Sequence, residues 1–427
     1  MKRLSFIAAL VISVCGYARA DLFDYIALED DSFEYTVGDT AEAEQGRILS
    51  IDLTSQTWHG IVWKHRVRVY EPKEIGSSDV LGLMITGGGP GAGPDALGLR
   101  LANMMGGRFA VLYDIPNQPL FDNLREDALI SYTWMQYLLT GDETWPLLFP
   151  MTKSAVRAMD CLQNVAQDQW NTDIRGFVVT GASKRGWTTY LTGIADPKRV
   201  IGIAPMVFDI LNLNVSVEHQ RDFWGSYSPE IGDYTEKGLT TVFGTERGFR
   251  LSFITDPYSY RDRLTMPKLL ILGSNDPYWP TDAVNLYYVG LPAPRALLIA
   301  PNSGHGLNDQ GRVTSSLAAF YRTVARGEKL PPMSWLYTES PEGLKLSVTT
   351  DGTETGARVW TATSSVQDFR PCKWTELPLA RNGDALVGTI PRAEGAYTAC
   401  YGEVVFPVDG EPLYLSTQPR VMHPVAK

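Results

Sequence analysis

Residues 176–187 read Gly-Phe-Val-Val-Thr-Gly-Ala-Ser-Lys-Arg-Gly-Trp, and this stretch decides the fold that we predict. A β-branched apolar run ends at Gly181, Ser183 follows two residues later, and a pattern with helical periodicity opens at Gly186. A serine between a buried strand and a helix is typical of a nucleophile elbow, a sharp turn that presents the hydroxyl to a cleft. The spacing is Gly-x-Ser-x-x-Gly rather than Gly-x-Ser-x-Gly, and the simplest alternative is that Ser183 only caps the helix.

Strand-like and helix-like runs alternate around this stretch, from about residue 60 to residue 325. The predicted strands are 61–69, 80–86, 109–114, 177–180, 200–208, 268–273 and 296–300, and the predicted helices are 127–139, 152–169, 187–194, 282–289 and 312–326. The later strands are continuous and β-branched, as expected of strands that are buried on both faces. The alternation predicts an α/β domain over residues 21–330, with a mostly parallel sheet flanked by helices.

Two regions depart from this alternation. Residues 211–266 form an insert rich in aromatic side chains, which we interpret as a lid or pocket wall; an ordinary helical excursion is the alternative. In residues 333–427, apolar and polar residues alternate with a period of two, and Asp351-Gly352 gives a turn signal. The second region therefore predicts a C-terminal antiparallel β-sandwich.

The N-terminus has the features of a secretory signal peptide. Lys2 and Arg3 precede an apolar stretch over residues 4–14, and a small-residue exit ends at Ala20. We expect cleavage after Ala20 and a secreted or periplasmic protein; a membrane anchor is the alternative, although the stretch is short for a bilayer. No other segment has the length of apolar sequence that a membrane span needs.

Charge and cysteine content exclude several function classes. Removal of the signal takes away three of the 38 basic residues, leaving 35 against 48 acidic ones and a net charge of −13. Such an acidic surface disfavours nucleic acid and anionic membranes as partners. The histidines and cysteines show no metal-ligand spacing, so we predict no metal and no cofactor. Cys161 reads as a buried thiol, whereas Cys372 and Cys400 are either a disulfide or two free thiols.

Two further strand ends supply an acid and a histidine. Asp276 follows the predicted strand 268–273, and His305 lies in a small-residue loop after the next strand. Serine, acid and histidine in this order, each beyond a strand, are typical of the catalytic triad of the α/β-hydrolase fold. His305 would take the proton of Ser183, and Asp276 would fix the imidazole tautomer. Asp209, at the end of the preceding strand, is the alternative acid.

A triad also needs donors for the oxyanion. The backbone amide of Lys184 is one candidate, because it directly follows the nucleophile. Gly88 and Gly89, in a glycine run after the strand 80–86, are candidates for the second donor. This run lacks the Gly-Lys-Ser/Thr ending of a phosphate loop, so nucleotide binding is not predicted. The side chains of Lys184 and Arg185 either bind an anionic substrate group or pair with acids, and the sequence leaves this open.

Several motifs point to a family. They lie at residues 115–119 (Ile-Pro-Asn-Gln-Pro), 126–134 (Glu-Asp-Ala-Leu-Ile-Ser-Tyr-Thr-Trp), 150–160, 179–189, 256–261, 266–268, 301–305 and 368–370. Through them the chain resembles the PhoPQ-activated pathogenicity-related proteins, which are secreted and have an α/β-hydrolase core. The resemblance implies that Gly-Ala-Ser-Lys-Arg-Gly is a family form of the elbow. It also implies a serine hydrolase whose physiological substrate is not established.

We therefore expect a secreted serine hydrolase that attacks an ester or amide bond of a small-molecule or peptide substrate through an acyl-enzyme on Ser183. The alternative is a non-catalytic secreted protein that uses the hydrolase scaffold for binding or signalling, because a fold does not fix a function. A binding scaffold has no need for Ser183, Asp276, His305 and a glycine loop together, and this favours the enzyme.

Overall fold

The computed structural model describes residues 21–340 and 343–424 of the 427-residue chain. The predicted signal peptide, residues 1–20, lies outside the described residues. The strands of the large sheet are β1 (Glu34–Ala43), β2 (Gly46–Trp58), β3 (Ile61–Pro72), β4 (Ser77–Ile85), β5 (Gly107–Leu112), β6 (Gly176–Ala182), β7 (Val200–Met206), β8 (Lys268–Gly273) and β9 (Arg295–Ala300). They are ordered β1-β2-β3-β5-β4-β6-β7-β8-β9.

The sheet is antiparallel from β1 to β5 and parallel from β5 through β9. The side chains of Leu269, Leu270 and Ile271 in β8 are all buried. Leu270 belongs to one hydrophobic cluster and Leu269 and Ile271 belong to the other, so both faces of the strand are buried. This burial explains the continuous apolar runs, since a strand with one solvated face would alternate. The α/β-hydrolase fold predicted from the sequence is confirmed.

The helices of this domain are α1 (Leu22–Ala27), α2 (Ala92–Met105), α3 (Glu126–Thr140), α4 (Leu148–Trp170), α5 (Lys184–Ala195), α6 (Leu213–Trp224), α7 (Gly232–Thr235), α8 (Glu246–Thr255) and α9 (Gln310–Ala325). The helix predicted over residues 282–289 is wrong. That segment forms two short 3₁₀ turns, Ala283–Leu286 and Tyr288–Gly290. Tyr287 separates them with φ −142° and ψ −21°, outside the helical range, and its buried hydroxyl donates to Asp209 Oδ1 at 2.6 Å.

The strand register brings the candidate site residues to one edge of the sheet. Ile85 at the end of β4 pairs with Gly181, so the loop after β4 lies beside the end of β6. Gly273 at the end of β8 pairs with Ala300 at the end of β9. Because parallel strands end at a common edge, Ser183 and the loops after β4, β8 and β9 all lie there.

The C-terminal region consists of two antiparallel sheets, as predicted. One contains β10 (Met333–Ser340), β11 (Gly343–Thr350), β15 (Ala385–Pro391) and β14 (Ala380–Asn382), in that order. The other is ordered β13 (Thr375–Pro378), β12 (Gly356–Ser364), β16 (Tyr397–Val408) and β17 (Glu411–Ser416), and β18 (Arg420–Met422) also pairs with β16. Cys161, Cys372 and Cys400 are all free thiols, so Cys372 and Cys400 do not form a disulfide.

The two domains share a hydrophobic core. Trp374 and Tyr401 of the sandwich belong to the same buried cluster as Leu297 and Ile299 of β9. Hydrogen bonds cross the boundary as well, because the Ile299 N–H donates to Ser416 Oγ at 2.9 Å and the Tyr401 hydroxyl donates to the Ile299 carbonyl at 3.3 Å. The sandwich therefore packs directly on the edge of the sheet that carries the predicted histidine loop.

Candidate active site

Ser183 occupies a strained turn between β6 and α5. Its φ of 57° and ψ of −123° lie where residues with a side chain are rarely found. Two backbone hydrogen bonds hold this conformation: the Ser183 N–H donates to the Met206 carbonyl at 2.9 Å, and the Trp187 N–H donates to the Ser183 carbonyl at 3.0 Å. This geometry is that of the nucleophile elbow predicted from the sequence.

The unusual spacing of the elbow follows from the placement of Arg185 and Gly186. A Cβ at Gly186 would lie 2.7 Å from the Met206 carbonyl oxygen, so helix α5 can approach β7 only with glycine here. Arg185 stands where the common elbow has its glycine, and it is buried. Its guanidinium passes beneath Gly87, where any Cβ would overlap it. The glycine after β4 thus makes room for an arginine of the elbow.

The Arg185 guanidinium is fixed by a partly buried polar network. It donates to both carboxylate oxygens of Glu126 at 2.7 Å and to the carbonyl of Ile115 at 2.6 Å. Gln118 in turn donates to Glu126 Oε1 at 2.6 Å and accepts from the Glu126 N–H at 2.9 Å. Burial alone would raise the pKa of Glu126, but the hydrogen-bonded, positively charged Arg185 outweighs it and lowers that pKa to about 2.

The Lys184 side chain is also paired. Its Nζ lies 2.7 Å from Asp127 Oδ2 and 3.6 Å from Glu126 Oε2, and Asp127 Oδ1 accepts a hydrogen bond from the Tyr234 hydroxyl at 2.9 Å. Lys184 and Arg185, the two cations beside Ser183, therefore both pair with acids of α3. Of the two roles that the sequence leaves open for these side chains, the structure shows pairing with acids. The pairing of Glu126 and Asp127 with these cations was not predicted from the sequence. The available signal was two adjacent acids matching two adjacent bases within the family motifs.

Asp276 and His305 form a hydrogen-bonded pair after β8 and β9. His305 Nδ1 lies 2.8 Å from Asp276 Oδ2, and the Tyr278 N–H donates to the other oxygen, Oδ1, at 2.9 Å. The Tyr278 ring packs on the imidazole with a centroid distance of 4.2 Å. His305 Nε2 is buried and has no hydrogen-bond partner among the described residues. With Nδ1 held by Asp276, Nε2 is the nitrogen available for proton transfer.

Asp209, the alternative acid, pairs elsewhere. Its Oδ1 accepts a hydrogen bond from the buried Tyr287 hydroxyl at 2.6 Å. Complete burial raises the pKa of Asp209 to about 8, against the opposing effect of the Tyr287 hydrogen bond, and the negative charges of Asp276 and Asp282 add to the rise. A carboxyl that favours its neutral form is poorly suited to stabilise an imidazolium, so the structure favours Asp276 over Asp209 as the partner of His305.

The C-terminal domain forms hydrogen bonds to both the loop that carries Asp276 and the loop that carries His305. Asn275 Nδ2, next to Asp276, lies 3.3, 3.0 and 2.7 Å from the carbonyl oxygens of Phe369, Arg370 and Cys372. In the histidine loop, Asn302 accepts from the Trp374 N–H at 2.8 Å and donates to the Trp374 carbonyl at 3.1 Å. We call residues 369–374 the clamp segment. These contacts were not predicted, because backbone carbonyls leave no signature in a sequence.

A narrow pocket opens beside Ser183, with a cavity volume of about 60 Å³. It is lined by Asp127, Trp134, Ser183, Lys184, Trp187, Phe208, Ile210, Leu213, Val217, Ile231, Tyr234, Leu239, Thr240, Phe243, Tyr278 and Trp279. The insert over residues 211–266 contributes seven of these side chains, from Leu213 to Phe243. Of the two roles predicted for the insert, lid or pocket wall, its placement is that of a pocket wall.

The candidate oxyanion donors differ in their placement. Lys184 is the first residue of α5, where a backbone N–H has no intrahelical acceptor, and it lines the pocket. Gly88 and Gly89 are exposed and do not line it. The Gly88 N–H donates weakly to Thr86 Oγ1 at 3.4 Å, and its carbonyl accepts from the Asp114 N–H at 3.1 Å. A role for Gly88 or Gly89 as the second donor stays a prediction.

Over residues 21–340 and 343–424, no group of three or more His, Cys, Asp or Glu side chains is placed to hold a metal ion. Within the same residues, no helix has the length and hydrophobicity that crossing a membrane requires.

Two solved structures show a distant similarity to this chain. The acetyl xylan esterase 1 of Thermoanaerobacterium sp. JW/SL YS485 is 14% identical, with a TM-score of 0.49, 71% of this chain covered and 93% of that one. The S-formylglutathione hydrolase of Agrobacterium tumefaciens is also 14% identical, with a TM-score of 0.46 and 68% and 99% covered.

Sequence comparison is more specific. "Autocrine proliferation repressor protein A" of Dictyostelium discoideum is 33% identical over 394 residues, which cover 85% of this chain and 78% of that protein. The family described as PhoPQ-activated pathogenicity-related protein matches residues 22–370, which include the elbow, the acid loop and the histidine loop. The chain belongs to the PhoPQ-activated pathogenicity-related protein family.

Proposed function

We propose that this protein is a secreted serine hydrolase that cleaves an ester or amide bond through an acyl-enzyme on Ser183. One observation carries the proposal: a serine in a strained elbow lies at the same sheet edge as a hydrogen-bonded Asp276–His305 pair. Strain at a polar residue beside a pocket is expected where the structure positions a reactive group. The substrate is a small molecule or a peptide.

The residues support the following mechanism. His305 Nε2 accepts the Ser183 hydroxyl proton while Oγ attacks the carbonyl carbon of the substrate. The negative charge that develops on the carbonyl oxygen is stabilised by the Lys184 amide, with Gly88 or Gly89 as the second donor. His305 then gives the proton to the leaving group, and a water molecule activated by the same nitrogen hydrolyses the acyl-enzyme. Asp276 holds the imidazole through Nδ1 and stabilises its protonated form.

This mechanism requires Ser183 Oγ and His305 Nε2 to come within hydrogen-bond reach. The ring nitrogen has no partner among the residues described, so the proton-transfer hydrogen bond is not yet formed. Catalytic hydrogen bonds are often long in the free enzyme and tighten when substrate binds. The proposal therefore includes that this hydrogen bond forms when substrate binds.

The second candidate is a non-catalytic secreted signal. The name of the Dictyostelium relative describes a repressor of proliferation, which bears only on the signalling part of this candidate. The two candidates are distinguished by whether Ser183 reacts as an activated nucleophile. A binding scaffold would have no reason to keep the strain at Ser183, which costs about 1–3 kcal/mol.

Covalent labelling tests the proposal. A small fluorophosphonate should modify the wild type once, as measured by intact mass, and Ser183→Ala should abolish the modification. Ser226→Ala, at an exposed serine of the insert, is the matched control and should label like the wild type. A folded wild type that does not react would favour the non-catalytic candidate, and reaction at a serine other than Ser183 would contradict the role that we propose for Ser183.

Secretion has a separate test. The exported protein should begin at Asp21, as read from the mass of its N-terminal peptide. Retention of residues 1–20 on the exported chain would contradict the cleavage that we predict.

A further inference from the structure

The pocket beside Ser183 offers no unpaired charge to a ligand. Of the side chains that line it, Asp127 and Lys184 are charged, and they pair with each other at 2.7 Å. The second oxygen of Asp127 accepts from the Tyr234 hydroxyl. A charged group that entered the pocket would lose its hydration without gaining a partner, at a large cost in free energy.

The pocket is also small, and its walls are fixed by packing. Its volume of about 60 Å³ is well below the roughly 150 Å³ of a cavity that holds benzene, and it gives room for about four to six water-sized groups. Trp187 stacks on Phe208 with centroids 4.8 Å apart, and Trp134 meets Trp187 edge-on at 5.8 Å. Trp187 is further held by a hydrogen bond from its indole N–H to the Thr255 carbonyl at 2.6 Å.

The position of the pocket indicates which part of the substrate enters it. Ser183, Lys184 and Trp187 line it, so it lies over the first turn of α5, on the side of the candidate oxyanion donor. Tyr278 lines the pocket and also packs on His305, and it therefore stands between the cavity and the imidazole. The leaving group must stay close to the imidazole that protonates it, so the acyl group is the part that turns into the pocket.

We propose that this pocket selects a short, uncharged acyl group of about two to four carbons, which fill the space of four to six water-sized groups. This assignment rests on the proposed function of Ser183. The insert limits the length of the acyl group, because seven of its side chains, Phe243 among them, line the pocket.

A series of nitrophenyl esters with one leaving group tests the selection. We expect kcat/KM for the acetate and butyrate to exceed that for the octanoate and benzoate by about tenfold or more, because the octanoyl and benzoyl groups are too large for the pocket. The hemisuccinate, in which a carboxylate replaces the terminal methyl group of butyrate, should be slower than butyrate by about 100-fold. Octanoate, benzoate or hemisuccinate turning over as fast as butyrate would overturn the assignment.

A pair of variants locates the effect. Phe243→Ala removes a partly exposed wall residue and should raise kcat/KM for octanoate relative to butyrate by about tenfold. Phe249→Ala, at a phenylalanine of the same insert that is 59% exposed and does not line the pocket, should leave the ratio unchanged. An unchanged ratio in Phe243→Ala, or equal changes in both variants, would contradict the assignment.

Labelling separates this inference from the proposed function. A protein that fails to react with the fluorophosphonate at Ser183 is not a serine hydrolase of this site. A protein that reacts at Ser183, yet prefers long or charged acyl groups or cleaves none of the short esters, is a hydrolase whose acyl pocket we have assigned wrongly.

Discussion

Replacement of Glu126 by Gln should weaken the support beneath the elbow without changing its shape. The Glu126 pKa of about 2 lies below its ordinary value of 4.5, which corresponds to roughly 3 kcal/mol at about 1.4 kcal/mol per unit. The Glu126 side chain is 40% exposed, and solvent screening reduces this figure to about 1–2 kcal/mol. We therefore expect Glu126→Gln to lower the free energy of unfolding by about 1–2 kcal/mol at neutral pH.

The pH dependence gives this prediction its sign. Because the folded-state pKa of Glu126 is lowered, its contribution is fully present above the unfolded value near 4.5 and is lost as the pH falls through about 2. Urea denaturation followed by tryptophan fluorescence should show the gap between wild type and variant shrinking as the pH is lowered. Glu218→Gln, at an exposed glutamate of α6, should stay within about 0.5 kcal/mol of the wild type throughout. Equal stabilities at neutral pH, or a gap that persists in acid, would refute the reasoning.

Three further outcomes are expected. Asp276→Asn should lower kcat for a short ester by about 10³- to 10⁴-fold, because the imidazole loses the acceptor that orients it. Asp209→Asn should change kcat less than about threefold. A larger loss of kcat in Asp209→Asn than in Asp276→Asn would identify Asp209 as the acid. In urea titrations above pH 8, the free energy of unfolding of Asp209→Asn should exceed that of the wild type by about 2–4 kcal/mol. The reason is that the stability provided by the neutral carboxyl of Asp209 is lost as the pH rises through its folded pKa of about 8. A stability difference that does not depend on pH would contradict this. Asn275→Ala should lower kcat at unchanged KM and cost about 1–3 kcal/mol of stability, whereas Asn285→Ala, which loses a hydrogen bond to the Pro419 carbonyl of the same C-terminal domain, should leave kcat unchanged. Equal kcat losses in these two variants would indicate a purely structural role for Asn275.

The fold was largely predictable because buried parallel strands carry a strong pattern. The continuous apolar runs of β6, β8 and β9 lie between helix-like segments, and each strand was found within a few residues. Strands β1 and β2 were missed, although they extend the sheet on its antiparallel side. Every residue of β1 is exposed or only partly buried, so the sequence of this strand lacks a clear apolar face.

The candidate site was predictable only in part, for a physical reason. Ser183, Asp276 and His305 each follow a strand that the sequence reveals, and the common edge of a parallel sheet brings such positions together. The acids that pair with Lys184 and Arg185 lie 57 and 59 residues away on α3, and no local pattern reports that distance. The charges were visible in the sequence, but their partners depended on how α3 packs over the elbow.

Because of the clamp segment, the candidate site depends on the C-terminal domain as well as on the large sheet. The family match ends at Arg370, in the middle of the loop whose carbonyls hold Asn275, and Trp374, which holds Asn302, lies beyond it. A ribosome that has completed all nine strands of the large sheet has not yet made this segment. The acid and histidine loops therefore receive their last support late in synthesis, so the site should mature only after most of the chain has emerged and its C-terminal domain has docked.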